Sequence, residues 1–242
     1  MAVAASHAIE QDEVAVVGLG LPQVGALLAK LTHAPSAVLL LEIGVAESMP
    51  TESAMGIADP RLWKDARAFC GMIDILGHLL HGGRVTLGIL GALQVDVTGS
   101  INSSLVTQED GTARRFNGSS GANDIASLAG RVMVVMRHDP RKFKRQVDFL
   151  TSPGASVGGK PRRDSGLPGR GTSTIVTDRA VIAVGPEGLR LQSVHPGEDP
   201  ERVAAETPVP LDLGDVAESA PPTREELALI REKLDPGRWY TA

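Results

Sequence analysis

The sequence predicts an α/β protein in which an open, mostly parallel, twisted sheet is flanked by helices. Short, mostly apolar runs occur at Glu13–Val17, Val38–Leu41 and Val85–Leu90, and such runs are typical of strands buried on both faces of a parallel sheet. Helical patterns and Gly/Pro turns separate these runs, as the crossovers of a parallel sheet require. At 242 residues, the chain suits one large domain. We therefore expect a single domain over residues 1–242, with a C-terminal strand and helix extension from about residue 174.

The first elements form a predicted strand–helix–strand unit. Strand Glu13–Val17 runs into the turn Gly18–Pro22, and a helix over Pro22–Leu31 carries its apolar residues on one face. Proline suits the first turn of a helix because its missing N–H is not needed there. The two strands of such a unit should be parallel.

Glu42 ends the second apolar run, and Gly44 follows two residues later. Ligands of open α/β sheets bind at the carboxyl ends of the strands, because the loops separate there into a crevice. A carboxylate at that point, with a glycine that lets other backbone come close, is a candidate for chemistry. A helix-capping or solvated loop glutamate is the alternative.

Later patterns predict the remaining elements. A helical pattern, for which we expect an interruption near Gly71, places Cys70 on an apolar helix face as a small buried residue. Asp124 is a candidate N-cap for a short helix, and Thr223 with Glu226 forms a capping box. The predicted elements are the helix Arg61–Leu80, the strand Arg131–Met136, a basic helical turn within Arg137–Arg145, strands over Thr174–Val184 (with a turn at Asp178–Arg179) and Leu189–Val194, and a helix over Thr223–Leu234.

Composition excludes several classes of function. A net charge of −5 without charged blocks argues against nucleic acid as the main partner. No apolar run approaches the ~20 residues of a membrane helix, and residues 1–10 do not resemble a signal peptide. Cys70 is the only cysteine, which excludes an internal disulfide and a cysteine-based zinc site. We expect a cytoplasmic protein with no membrane association and no bound metal.

A dinucleotide-binding unit is the alternative interpretation of the first elements. Its fingerprint G-x-G-x-x-G requires a third glycine. Gly18 and Gly20 are in place, but Gln23 occupies the third position, and Pro22 lies where a phosphate-binding N–H is wanted. Glu42 does lie about 20 residues beyond the turn, near the ribose-binding distance.

Several motifs, taken together in one order, resemble the β subunit of family I coenzyme A transferases, most closely the glutaconate CoA-transferase type. The resemblance covers nearly the whole chain. It rests on Val17–Pro22, Ala34–Pro35, Glu42–Gly44, Gly91–Asp96, Gly118–Ala126, Thr151–Gly154, Gly166–Gly169, Val176–Asp178, Leu229–Arg231 and Asp235–Gly237.

The resemblance implies that Glu42 is the catalytic glutamate of an acyl-CoA:carboxylate CoA-transferase with the CoA-transferase-like fold. In the family this carboxylate attacks an acyl-CoA, and the thiolate returns to form a glutamyl-CoA thioester that a second carboxylate resolves. Coenzyme A is then a substrate, and no cofactor is permanently bound. The resemblance also implies a partner α subunit, commonly in a heterotetramer with two copies of each chain, without which the β subunit is inactive.

Each acyl-transfer step passes through an oxyanion, which backbone N–H groups stabilise. The resemblance places these donors and the substrate contacts in the glycine-containing loops. Gln94 and Asn102 are implied to orient the loop that follows Gly91 or the acyl group, or they make ordinary loop hydrogen bonds. The second glycine-containing loop, with Gly121, Ala122 and Asn123, is also consistent with a tight turn before a helix. The candidates are Gly44, Gly91, Ala92, Gln94, Asn102, Gly121, Ala122 and Asn123.

This chain departs from the family pattern at Ala92, Ser100 and Ser120, where the family has glycine, asparagine and glycine. The side chains of Ala92 and Ser120 narrow the approach to the backbone, and the departures leave the acyl group, the acceptor and the reaction type open. An acyl-CoA hydrolase or a C–C bond-cleaving lyase or decarboxylase with Glu42 as general base is one alternative. A non-catalytic partner subunit or nucleotide-binding module is another.

Overall fold

The apolar runs form the strands of two units in the computed structural model, which describes residues 1–50, 54, 56–108 and 110–241. The first unit comprises Met1–Leu90 and Pro221–Ala242, and the second comprises Gly91–Ala220. The expected single domain stays a prediction. The α/β fold with a mostly parallel sheet and flanking helices is confirmed.

The first unit contains the predicted strand–helix–strand element. Strand β1 (Val14–Val17) pairs in parallel with β2 (Val38–Leu41) on one side and with β5 (Leu87–Gly91) on the other. The predicted parallel arrangement is therefore confirmed. Short strands β3 and β4 then continue the sheet in antiparallel pairing. Its elements up to residue 91 are α1 Ala2–His7, β1 Val14–Val17, α2 Leu21–Leu31, β2 Val38–Leu41, β3 Val45–Ala46, a 3-10 turn Pro60–Trp63, β4 Ala68–Phe69, a π-helix Ile73–Leu80 and β5 Leu87–Gly91.

Helix α1 packs against α2 at very short range. A Cβ added at Gly25 of α2 would lie 3.0 Å from the Ala5 Cβ and 3.1 Å from the Ala2 carbonyl oxygen. Because a side chain at residue 25 would push these neighbours apart, Gly25 allows the two helices to approach each other closely, and α2 in turn packs against β1.

The second unit is built around β10 (Arg131–Val135), which pairs in parallel with β14 (Thr172–Val176). The antiparallel strands β15 (Ala180–Gly185) and β16 (Gly188–Val194) follow. The strands predicted at residues 131–136, 174–184 and 189–194 are therefore confirmed, with the turn at Asp178–Arg179 between β14 and β15. Its elements are β6 Gln94–Asp96, β7 Ile101–Asn102, β8 Leu105–Thr107, β9 Ala113–Arg115, α3 Ala122–Leu128, β10 Arg131–Val135, a 3-10 turn Pro140–Lys142, β11 Phe143–Lys144, β12 Ser156–Val157, β13 Lys160–Pro161, a 3-10 turn Arg162–Ser165, β14 Thr172–Val176, β15 Ala180–Gly185, β16 Gly188–Val194, α4 Pro200–Ala205, β17 Leu211–Asp212 and β18 Ala217–Glu218.

The chain then returns to the first unit as α5 Arg224–Ala228, which continues as a π-helix over Leu229–Leu234. The predicted capping box is confirmed. The Glu226 N–H donates to the Thr223 hydroxyl over 3.1 Å, and the Thr223 N–H donates to the Glu226 carboxylate over 2.7 Å.

The predicted helix over residues 61–80 is wrong in its first half. Only Ile73–Leu80 is helical beyond the 3-10 turn at Pro60–Trp63. Between them Asp65 has φ +53°, which interrupts a helix, and β4 pairs with β3 instead. The hydrogen bonds of an available strand edge have overridden the helical spacing of the apolar residues.

Arg162 connects three segments of the second unit from an almost fully buried position. The residue as a whole is only 5% exposed to solvent. The guanidinium donates to backbone carbonyl oxygens, which accept over 2.8–3.4 Å. The acceptors are the carbonyls of Ala126, Ser127, Pro153, Gly154 and Pro168.

Replacement of this arginine by methionine should strongly destabilise the chain. Arg162→Met leaves these buried carbonyls without a donor, so we expect the free energy of unfolding in urea to fall by about 3 kcal/mol or more. The neighbouring Arg163 has an 87% exposed side chain, and Arg163→Met should change the same quantity by less than about 0.5 kcal/mol. Equal losses for both variants would contradict this role of Arg162.

Candidate functional site

Glu42 is the first residue of a three-residue loop that joins β2 to β3. Leu41 pairs with Val45 across the hairpin, and the Gly44 N–H donates to the Leu41 carbonyl over 3.0 Å. Loops of this length combine a tight turn with a third residue at positive φ, and Gly44 has φ +102°. Glu42 thus lies directly after a parallel strand, as predicted, and its residue is half-buried.

Gly44 is required at its position for two reasons. Its positive φ disfavours any residue with a Cβ. In addition, a Cβ there would lie 2.0 Å from the Cys70 carbonyl oxygen, and the Cys70 N–H donates to the Gly44 carbonyl over 2.8 Å. The N–H of Gly44 is engaged by Leu41, so this glycine shapes the loop that carries Glu42.

Cys70 is exposed, so its prediction as a small buried residue on a helix is wrong. It follows the edge strand β4, and Phe69 beside it is 65% exposed. Partial desolvation of the sulfur by its neighbours and the charge of Asp74 raise the pKa of the Cys70 thiol, which disfavours the reactive thiolate.

The glycine turn after β1 is occupied by the chain itself. The Gly18 N–H donates to the Ile89 carbonyl over 2.8 Å. The Tyr240 ring lies 3.3 Å from where a Cβ on Gly20 would be, and its hydroxyl donates to the Ala54 carbonyl. These contacts give both glycines a structural role and disfavour the dinucleotide interpretation.

Gln94 and Asn102 form a buried hydrogen-bond network in the second unit. The Asn102 amide donates to the Gln94 side-chain oxygen over 2.8 Å and to the Leu105 carbonyl over 2.6 Å. The Gln94 amide donates to the Asp148 carboxylate over 2.8 Å. Because both amides are buried and bonded within the chain, they orient the loop between β6 and β8.

Gly91 is the last residue of β5, and Ala92 lies between β5 and β6. No atom of the described chain lies within 4 Å of where a Cβ on Gly91 would be. Among the described residues, the Ala92 N–H has no hydrogen-bond acceptor. Such an N–H can donate to a ligand oxygen, whereas the side-chain amides of Gln94 and Asn102 cannot do so without losing their present acceptors.

The segment over residues 118–123 is connected by side-chain hydrogen bonds to two other segments of the second unit. The Ser103 hydroxyl donates to the Gly118 carbonyl over 2.8 Å, and the Asn123 amide donates to the Thr151 carbonyl over 2.8 Å. Helix α3 starts at Ala122 after Gly121. Asp124 lies inside its first turn, so the prediction that Asp124 caps this helix is wrong.

The departures from the family pattern also have packing roles. Ser100 is buried and its hydroxyl accepts the Gly154 N–H over 3.3 Å. Ser120 adopts φ +43°, a conformation that glycine takes at lower cost.

The basic segment Arg137–Arg145 contains a 3-10 turn at Pro140–Lys142. Asp139 caps this turn by accepting a hydrogen bond from the Arg141 N–H.

The candidate residues therefore fall into two groups. Glu42 and Gly44 belong to the first unit, and Gly91, Ala92, Gln94, Asn102, Gly121, Ala122 and Asn123 belong to the second. No described group of three His, Cys, Asp or Glu side chains could hold a metal ion. Among the helices of the described ranges, none has the length and apolar character needed to cross a membrane.

An ion pair that was not predicted fixes the base of the Glu42 hairpin. The Lys30 ammonium lies 2.5 Å from the Glu47 carboxylate, and both side chains are about 15% exposed, at 16% and 14%. Arg67 contacts the same carboxylate over 3.2 Å from an 82% exposed side chain. The hydrogen bond from Lys30 lowers the pKa of the Glu47 carboxyl. No sequence pattern relates these three residues.

Residues 1–206 match the family model described as Coenzyme A transferase. The chain is 35% identical over 234 residues to the β subunit of 3-oxoadipate CoA-transferase of Pseudomonas knackmussii, covering 96% of this chain and 90% of the relative. It is 32% identical over 249 residues to the β subunit of glutaconate CoA-transferase of Acidaminococcus fermentans, covering 99% and 92%. The crystal structure of the latter transferase matches 100% of this chain and 95% of its own chain with a TM-score of 0.89 and 30% identity.

A third relative has a different activity. The chain is 30% identical over 223 residues to the cholesterol ring-cleaving hydrolase IpdB subunit of Rhodococcus jostii, covering 89% of this chain and 82% of the relative.

Gly44→Ala should destabilise the chain by about 3 kcal/mol or more, because the added methyl group meets the Cys70 carbonyl at a disfavoured φ. Thermal unfolding of the purified chain measures this loss. Gly91→Ala is the matched control, and its free space predicts a change of less than about 0.5 kcal/mol. A Gly44→Ala chain as stable as Gly91→Ala would contradict the assigned packing.

Glu47→Gln should reduce stability at pH 7 by about 1–3 kcal/mol, the range for hydrogen bonds to charged groups. The folded pKa of Glu47 is lowered, so the wild-type carboxylate stabilises the fold above its unfolded pKa of about 4.3. This advantage is lost as the pH falls through the folded pKa. Urea unfolding from pH 7 to pH 3 should show the two chains converging, and a constant difference would refute the linkage.

Proposed function

The chain belongs to the coenzyme A transferase family as a family I β subunit, and from this premise we propose that it transfers coenzyme A between an acyl-CoA and a carboxylate acceptor through Glu42. The observation that carries the proposal is the position of Glu42, half-buried in a glycine-closed loop at the carboxyl end of a parallel strand. The matches to its two CoA-transferase relatives cover 90% or more of those relatives' own length.

The reaction fits a single carboxylate nucleophile. The Glu42 carboxylate attacks the thioester carbonyl and expels the CoA thiolate, which gives a mixed anhydride. The thiolate then attacks the glutamyl carbonyl and releases the first carboxylate, which leaves a glutamyl-CoA thioester. The acceptor carboxylate reverses both steps, so that the exchange needs no other energy source.

Gly91 and Ala92 are our candidates for stabilising the oxyanions of these steps. Their support is local: open space beside Gly91 and an Ala92 N–H without an acceptor among the described residues. Gln94, Asn102 and Asn123 act by fixing the loops through their buried or half-buried hydrogen bonds. Gly121 and Ala122 contribute the start of α3 to the same proposed site.

A partner α subunit completes the proposed enzyme. Both CoA-transferase relatives are themselves one subunit of a larger enzyme. In the first unit, Phe69, Met72 and Ile73 are 65%, 52% and 74% exposed, and exposed apolar side chains close together are typical of a protein–protein interface. We expect the isolated chain to be inactive and the active complex to contain two copies of each subunit.

Hydrolysis is the second candidate function, because one relative is a ring-cleaving hydrolase subunit. In that case Glu42 would act as a general base on water instead of attacking the acyl group itself. Turnover by this hydrolytic mechanism needs no carboxylate acceptor.

Glu42→Ala should abolish transfer by the reconstituted two-subunit complex, with a fall in kcat of about 10³-fold or more on loss of the nucleophile. Mass spectrometry of the wild-type complex with acyl-CoA alone should find CoA attached at Glu42. Glu225→Gln, a change at an exposed carboxylate of the same unit, should retain both activity and adduct.

Heavy-oxygen water distinguishes the two candidates. A transferase incorporates no solvent oxygen into the product carboxylate during transfer, whereas a hydrolase incorporates one oxygen and turns over without an acceptor. An active complex without an adduct, in which Glu42→Ala remains active, would refute a catalytic role for this residue.

A further inference from the structure

The hairpin that carries Glu42 is closed at its base by one ammonium group. The Lys30 Nζ donates to the Ala37 carbonyl over 2.6 Å, immediately before β2, and to the Glu47 carboxylate over 2.5 Å, immediately after β3. It also donates to the Pro35 carbonyl over 3.2 Å. One side chain therefore joins the two ends of the hairpin, while the three-residue loop with Glu42 joins them at the other end.

The backbone at Glu47 needs such support. Glu47 has φ +52°, a left-handed conformation that is unfavourable for a residue with a side chain. Its N–H donates to the Leu39 carbonyl over 2.7 Å, so this conformation directs the chain back onto β2. The ion pair with Lys30 stabilises the turned conformation from the side-chain end.

The two partners are largely withdrawn from solvent, and this makes the contact stiff. Lys30 is on the last turn of α2, which packs against α1 and the final π-helix of the first unit. The ammonium therefore connects the hairpin to a helix whose own position is fixed by packing. Arg67 contributes only an exposed second contact to the same carboxylate, which is worth little in water.

We propose that Lys30 and Glu47 are positioning residues for catalysis: together they fix the base of the hairpin and thereby the place of the Glu42 carboxylate at its tip. The proposal rests on the role of Glu42 as nucleophile. Neither residue touches the substrate. Their effect is on how often the carboxylate occupies the geometry from which it attacks, and an error of about 1 Å in such geometry can cost about 100-fold in rate.

The test measures the rate of CoA attachment to Glu42, together with kcat and KM, in reconstituted complexes. Lys30→Met and Glu47→Gln should lower kcat and the attachment rate by about 10- to 100-fold, with KM for acyl-CoA changed by less than about threefold because the substrate contacts remain. Glu47→Asp keeps the charge and should recover part of the loss. If Lys30→Met fails to assemble, the smaller change Glu47→Gln decides the outcome.

Two control variants separate positioning from stability. Arg67→Met removes the exposed cation from the same carboxylate and should leave kcat within about twofold. Glu198→Gln weakens an ion pair of the second unit, between Glu198 and Arg179 at 2.7 Å, whose side chains are 29% and 12% exposed. It should lower the unfolding temperature as Glu47→Gln does, while kcat per folded complex is retained.

The possible outcomes are distinct. Slow attachment in Lys30→Met and Glu47→Gln complexes that assemble normally, with both controls near wild type, supports the proposal. Wild-type attachment rates in these two variants, or equal losses of kcat in Glu198→Gln, overturn it while leaving Glu42 as the nucleophile. Absence of any adduct from an active wild-type complex, with Glu42→Ala active, refutes the proposed function and this role together.

Discussion

The absence of space beside Gly44 is the constraint on which the geometry around Glu42 depends. The Cys70 carbonyl lies where a side chain at residue 44 would have to be, and the Cys70 N–H is bonded to the Gly44 carbonyl. The loop after β2 therefore closes in three residues and reverses directly into β3. Glu42 is left at the turn, at the end of a parallel strand, without the long crossover that usually follows such a strand.

In the second unit, side chains and backbone have different tasks. Gln94, Asn102 and Asp148 use their polar atoms on one another and on nearby backbone, and a buried network of this kind is rigid because each lost partner is costly. Backbone N–H groups at the loop ends are then the donors that a substrate can use without dismantling the fold. Oxyanion stabilisation depends on donors fixed in advance, so this arrangement suits acyl transfer.

The parallel strands β1, β2 and β5 could be predicted from the sequence because each is a mostly apolar run bounded by turn residues, and the capping box because its two residues are three apart. The absence of a helix over the first half of residues 61–80 could not be predicted, because Phe69 and Ile73 have helical spacing although both are exposed. Exposed apolar residues on a surface look like core residues in a sequence. Lys30 and Glu47 are 17 residues apart with no periodic relation, so only the folded hairpin brings them together.

Glycine in a sequence indicates that something comes close to the backbone, but it does not say whether the neighbour is a ligand or the chain itself. Structure answers this position by position. Ile89 lies against Gly18, Tyr240 against Gly20 and Cys70 against Gly44, so these glycines accommodate the fold, and the partial dinucleotide fingerprint follows from packing. Gly91 has no such neighbour within the described chain, and its backbone φ is not positive. Neither packing nor conformation explains that glycine, and it is the one of these four with open space beside it in the described chain.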